Sequence, residues 1–176
     1  WNEMLEAECT AGRRSAERGI GPGHQSEEFP LDRLPELQIE DLPEPENVEW
    51  PLGVMDLFVI ACFFLLREVE VSLLLFKSVT FDLAMQTVSL HLPATKADPK
   101  AVGCTRSWGC ICSAASSLLC PFHAALRQRD RLLEVFSVDF LEDQCPFFPT
   151  WLGTAVLKEV IVGIIEHVVN LLKLPL

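Results

Sequence analysis

Five side chains between positions 104 and 123 can hold a metal ion: Cys104, Cys110, Cys112, Cys120 and His123. Cys120-Pro121-Phe122-His123 is a C-x2-H pair at the mouth of an expected helix, and Cys104 with Cys110 or Cys112 would supply the second pair. Four thiolate or imidazole donors at tetrahedral spacing would staple an irregular loop, and structural zinc is the cofactor that suits them. The C-x5-C-x-C spacing differs from the usual C-x2-C knuckle, so unliganded thiols in a loop are the competing reading. A catalytic Cys120–His123 dyad would need an orienting acid and an oxyanion pocket, and the sequence names neither.

The elements that would carry these residues follow from apolar periodicity. Leu57–Leu66 is an unbroken apolar run closed by Asp56 on one side and Arg67-Glu68 on the other. A membrane span needs about twenty such residues, so the run reads as a buried helix rather than a transmembrane one. Val69, Leu73 and Phe76 continue a helical face. Val79–Phe81 reads as a strand, and Val88, Leu90 and Leu92 alternate with Ser89 and His91 as a second. Lys100–Thr105 is the expected third strand, and residues 106–120 the irregular Cys-rich loop. Pro121 suits the first turn of a helix reaching Phe136, with Phe122, Leu126 and Leu133 inward. A last helix is expected over Thr154–Leu174, with Val156, Val160, Ile164, Val168 and Leu171 in one stripe. Leu157, Ile161, Ile165 and Leu172 widen that stripe, which calls for cover on more than one side. The expected fold is therefore α+β, mainly helical, with a small antiparallel β-sheet.

Composition divides the 176 residues in two. Residues 1–50 hold 13 acidic and 4 basic side chains, whereas residues 51–176 hold 12 and 10. The formal charge of −11 thus sits mostly in a Glu-, Pro- and Gly-rich segment, residues 1–49, expected to stay a flexible, solvated chain ahead of a domain over residues 50–176. No overall basic field exists to attract nucleic acid, which leaves only a local cluster for such contacts. Arg127, Arg129 and Arg131, interleaved with Asp130 and Glu134, read as a solvated helix face. Seven cysteines without a secretory signal point to an intracellular, reducing compartment. Trp1 and the apolar stretch before Leu176 both read as cuts in a longer chain.

An ordered set of motifs gives a resemblance. Leu66-Arg67-Glu68-Val69-Glu70-Val71-Ser72-Leu73 precedes the expected strands, and Thr95-Lys96-Ala97-Asp98 follows them. This order resembles the catalytic domain of tyrosine recombinases, the phage-type integrases, over about residues 50–176. There an Arg in an Arg-x-x-Glu-Leu-like pattern opens a helix before a small sheet, and a hairpin lysine follows in a Ser/Thr-Lys-x-Asp context. The resemblance implies Arg67 as a phosphate clamp, Glu70 as its orienting partner and Lys96 as general acid to the departing 5′ oxygen. It also implies a DNA partner, weakly held, and a nuclear location; neither a membrane partner nor a small-molecule substrate is expected. The sequence departs from the family in its second half. No His-x-x-Arg is present, since His167 is followed by Val168-Val169-Asn170, and the chain has no tyrosine. Without that nucleophile no phosphotyrosyl intermediate forms, so the chain is expected to be a catalytically incomplete strand-exchange fragment and not an enzyme. The alternative is a zinc-stapled protein-interaction module that uses its Arg-rich helix to hold a partner.

Overall fold

The computed structural model describes residues 29–37, 49–92, 103–113 and 117–174. The fold is α+β and mainly helical, with one three-stranded antiparallel sheet. Helix α1 spans Val54–Phe64 and α2 spans Glu68–Leu73; strands β1 (Val79–Asp82), β2 (Thr87–Leu92) and β3 (Cys104–Gly109) follow. Helices α3 (Pro121–Val135), α4 (Val138–Asp143) and α5 (Lys158–Leu171) complete the order.

Helix α1 is the expected apolar run, shifted toward its N-terminus. Gly53, at φ 80°, turns the chain into it, and Leu65, at φ 50°, ends it in a left-handed conformation. That stop explains a correction. The spacing of Val69 and Leu73 predicts that they continue the α1 face, yet both are exposed, while Val71 and Leu74 are buried. The left-handed residue and the extended Arg67 reset the helical phase, so α2 is a new helix with its own register.

The sheet has the order β1-β2-β3, with Val79 opposite Leu90 and Leu90 opposite Arg106. Residues opposite one another share a face, so Val88, Leu90 and Leu92 point into the core beside Cys104, Arg106 and Trp108. Ser89, His91, Thr105 and Ser107 line the outer face, where Ser89 Oγ and Ser107 Oγ are 2.7 Å apart. The third strand therefore lies later than expected. Of the predicted Lys100–Thr105, residues 100–102 fall outside the described set, and the strand runs on through Arg106–Gly109, in what the sequence reads as loop. Its pattern is hidden because an arginine occupies an inward position. The Arg106 guanidinium donates to the Phe64 and Leu65 carbonyls at the end of α1, and Trp108 meets Phe63 edge-on at 5.3 Å. A cation at a helix C-terminus complements its dipole and its unpaired carbonyls.

Helix α3 buries Phe122, Ala124, Ala125, Gln128 and Leu132. Leu133, expected inward, is exposed, because Leu132 takes that side. The chain then makes α4 and an irregular segment in which Cys145, Phe147 and Phe148 are buried. That segment is held by backbone hydrogen bonds from Phe76 to Cys145, from Phe147 to Leu74 and from Leu52 to Pro149. Helix α5 begins four residues later than expected, since Thr150 and Thr154 are joined in a turn. It buries Ile161, Ile164 and Val168 and packs on α2, with Lys158 3.4 Å from Glu68 and Ser72 donating to the Val156 carbonyl. Of the rest of its stripe, Val156 and Leu172 are buried and Val160 is half-buried, whereas Leu157, Ile165 and Leu171 are exposed.

The acidic segment also needs correction. Within residues 1–49, Phe29–Leu37 is not a solvated tail: Leu31–Glu36 is a 3-10 helix, Leu34 is fully buried, and Phe29 stacks on Phe58 at 5.0 Å. Leu31, Leu34 and Leu37 recur every third residue, the period that puts them on one side of such a helix. Among the described residues no helix is long and apolar enough to cross a membrane.

Candidate metal centre

Cys110 follows the last residue of β3, and its backbone N–H donates to the Gln86 carbonyl in the β1–β2 turn at 2.8 Å. Cys120 is the N-cap of α3, with Pro121 in the first turn and the Ala124 N–H on its carbonyl at 2.8 Å. His123 sits within the first turn of the same helix. The strand end and the helix start thus bring two loop cysteines against a fixed Cys-x-x-His.

The four donors form one cluster. The donor atoms of Cys110, Cys112, Cys120 and His123 all lie within 4.8 Å of one another. The Cys120 and Cys110 sulfurs are 3.8 Å apart, and His123 Nδ1 lies 3.7 Å from Cys110 Sγ and 3.3 Å from Cys112 Sγ. A tetrahedral zinc with Zn–S near 2.3 Å and Zn–N near 2.05 Å would separate its ligands by about 3.8 Å for S···S and about 3.6 Å for S···N. The observed spacings match those edges to within a few tenths of an ångström.

Electrostatics prepares the site unevenly. Burial pushes the Cys120 thiol up, but backbone N–H groups of His123 and Ile111, the imidazole and Cys112 outweigh it and bring the thiol down to about 6. A helix N-terminus favours a thiolate for the same reason. The Ser117 N–H, 3.1 Å from Cys112 Sγ, pulls that thiol down, yet burial and the Cys120 and Cys110 sulfurs leave it raised.

Cys104 does not belong to the cluster. It opens β3 opposite Leu92, six residues before Cys110, and at about 3.3 Å per strand residue the two lie roughly 20 Å apart. The expected Cys104 pair is therefore replaced by Cys110 and Cys112 together. Two donors one residue apart can meet one ion because the strand has ended and the chain between them is irregular.

The recombinase-like residues are less gathered. Arg67 is exposed and caps α2. The Glu70 carboxylate, expected to orient the Arg67 guanidinium, instead accepts the Arg67 backbone N–H at 2.9 Å. This is the return half of a capping box; arginine has no acceptor to supply the other half. Lys96 lies outside the described residues.

The Arg-rich helix is not a solvated face. Arg127 and Arg131 both reach Asp56 of α1, at 2.7 and 3.1 Å, and Arg129 lies over the Phe81 ring at 5.1 Å while pairing with Asp130. Arg127 also donates to the Leu118 carbonyl at 2.8 Å, tying the metal loop to α1. The signal in the sequence is the i, i+4 spacing of Arg127 and Arg131 together with one isolated carboxylate at the head of an apolar helix.

No family model, no curated protein and no solved structure matches this chain.

Proposed function

We propose that residues 49–174 form a zinc-stapled domain in which Cys110, Cys112, Cys120 and His123 hold one structural zinc ion. The observation that carries this reading is the four-donor cluster, three of whose edges match a tetrahedral zinc site. All four positions are filled by protein, which suits a structural site; a catalytic zinc keeps one position for water or substrate. The ion would fasten the end of β3 to the start of α3 and so fix the loop between them. The working role is a binding scaffold rather than a catalyst. Metal analysis of the reduced, purified chain tests this. One equivalent of zinc is expected, lost in Cys112→Ser and in His123→Ala; a metal-free reduced chain in zinc-containing buffer would refute it.

A second reading has its own support. The order of α1, an Arg67-capped α2, a three-stranded antiparallel sheet and α3 agrees with what the tyrosine-recombinase resemblance implies. On that reading the stapled domain is a catalytically incomplete strand-exchange fragment whose Arg67 and Lys96 contact DNA phosphate weakly. Binding to nicked DNA that falls steeply with added salt, and falls further in Arg67→Ala, is its expected signature.

A further inference from the structure

Among the three sulfurs of the cluster, Cys110 and Cys120 are in direct contact at 3.8 Å; Cys110 and Cys112 each also accept a backbone N–H, from Cys112 and Ser117 respectively, and each lies near the His123 imidazole. Cys120 is anchored on α3, and the Cys110 backbone is anchored through its N–H on Gln86. Rotation about the Cys110 Cα–Cβ bond can therefore move its sulfur with both main chains fixed. A disulfide needs the pair to close from 3.8 Å to about 2.05 Å. Cys110 and Cys112 are half-buried rather than sealed, so a small oxidant can reach the cluster.

We infer that the centre is a redox switch: hydroperoxide converts Cys110 and Cys120 to a disulfide and expels the zinc. This inference rests on the zinc reading above. The Cys110 thiolate attacks one peroxide oxygen, the O–O bond breaks, and a sulfenic acid forms with loss of hydroxide. The Cys120 thiolate then attacks the Cys110 sulfur, forming the S–S bond and breaking the S–O bond as a second hydroxide leaves. Two electrons pass from the sulfur pair to the peroxide, and two protons from solvent turn the hydroxides into water. Cys112 and His123 alone cannot hold a tetrahedral zinc, so the ion departs. The disulfide joins the same two elements that the metal joined, so the β3–α3 connection persists while the intervening loop loses its organising centre.

The test uses the unaltered zinc-loaded chain, because Cys110→Ser would also remove a ligand. Hydrogen peroxide is added with a metallochromic indicator present, and the sulfurs are mapped by mass spectrometry after chymotryptic cleavage. Release of one equivalent of zinc together with a Cys110–Cys120 linkage, reversed by a dithiol, is the expected result. A chain that keeps its zinc through full peroxide treatment, or that joins Cys112 to another sulfur instead, overturns the switch and leaves the zinc reading standing. A reduced chain that never takes up zinc removes the zinc reading itself, and the switch with it.

Discussion

Asp56, at the head of α1, is bridged by Arg127 of α3, whose Nε and Nη2 donate to the same carboxylate oxygen at 2.9 and 2.7 Å. Arg131 takes the other oxygen at 3.1 Å. The carboxylate side chain is 3% exposed, whereas the two arginines are 35% and 34% exposed. The arrangement is lopsided: a buried anion held by two cations that also touch water.

That asymmetry sets the first prediction. Removing both arginines, as in Arg127→Leu with Arg131→Leu, strands a buried carboxylate and should cost about 3–5 kcal/mol. Removing Asp56 instead leaves cations that can turn to solvent, so Asp56→Leu should cost clearly less. Urea unfolding of the variants measures both, and equal losses would show that stranding the buried anion is not what sets the cost.

Gly53 gives a second. A Cβ there would lie 2.1 Å from Gln128 Oε1 and 2.2 Å from Arg131 Nη1, in a backbone at φ 80°. Gln128 is fully buried and donates to the Phe147 carbonyl at 2.7 Å, so it cannot swing clear. The left-handed conformation costs roughly 1–2 kcal/mol and overpacking about 1–3 more. Gly53→Ala should therefore lose roughly 2–5 kcal/mol in thermal or urea unfolding.

The ligand set can be separated by substitution. Cys104→Ser should leave zinc content unchanged, whereas Cys112→Ser should abolish stoichiometric binding. Cobalt added to the metal-free chain should produce thiolate charge-transfer bands and the visible d–d absorption of a tetrahedral site, in the Cys104→Ser protein as in the parent. Loss of those bands in Cys104→Ser would return Cys104 to the ligand set.

Burial pushes the Cys145 thiol from an ordinary 9.0 up to about 11. A raised thiol value means that the folded protein binds the proton more tightly than the unfolded chain. Its contribution to stability is complete below about pH 9 and is lost progressively as pH rises to about 11. Cys145→Ala should flatten that part of the stability–pH curve. At pH 8 the native Cys145 should also resist alkylation, with labelling appearing only on unfolding.

On the strand-exchange reading, a chain without tyrosine should form no denaturation-resistant adduct with a suicide DNA substrate. Denaturing electrophoresis is the measurement. An adduct lost in Cys120→Ala would show an unforeseen thiol nucleophile.

The sequence determined what depends on near neighbours. The unbroken apolar run of α1, the strict alternation of Val88, Leu90 and Leu92, and Pro121 at the start of α3 are local patterns. Each reads directly from the period of one element. The Cys120–His123 half of the metal centre was legible for the same reason, because one helical turn fixes its spacing. What tertiary structure decided involves distant partners. The choice of Cys110 and Cys112 over Cys104 depends on where β3 stops, and that strand is tied by Arg106 to the end of α1, 42 positions earlier. The joining of Asp56 to Arg127 and Arg131 spans 71 and 75 positions. The phase of α2 was reset by one left-handed residue, Leu65. Such pairings leave no periodic trace, because a charge reads as surface until the fold shows which buried group it has been brought to satisfy.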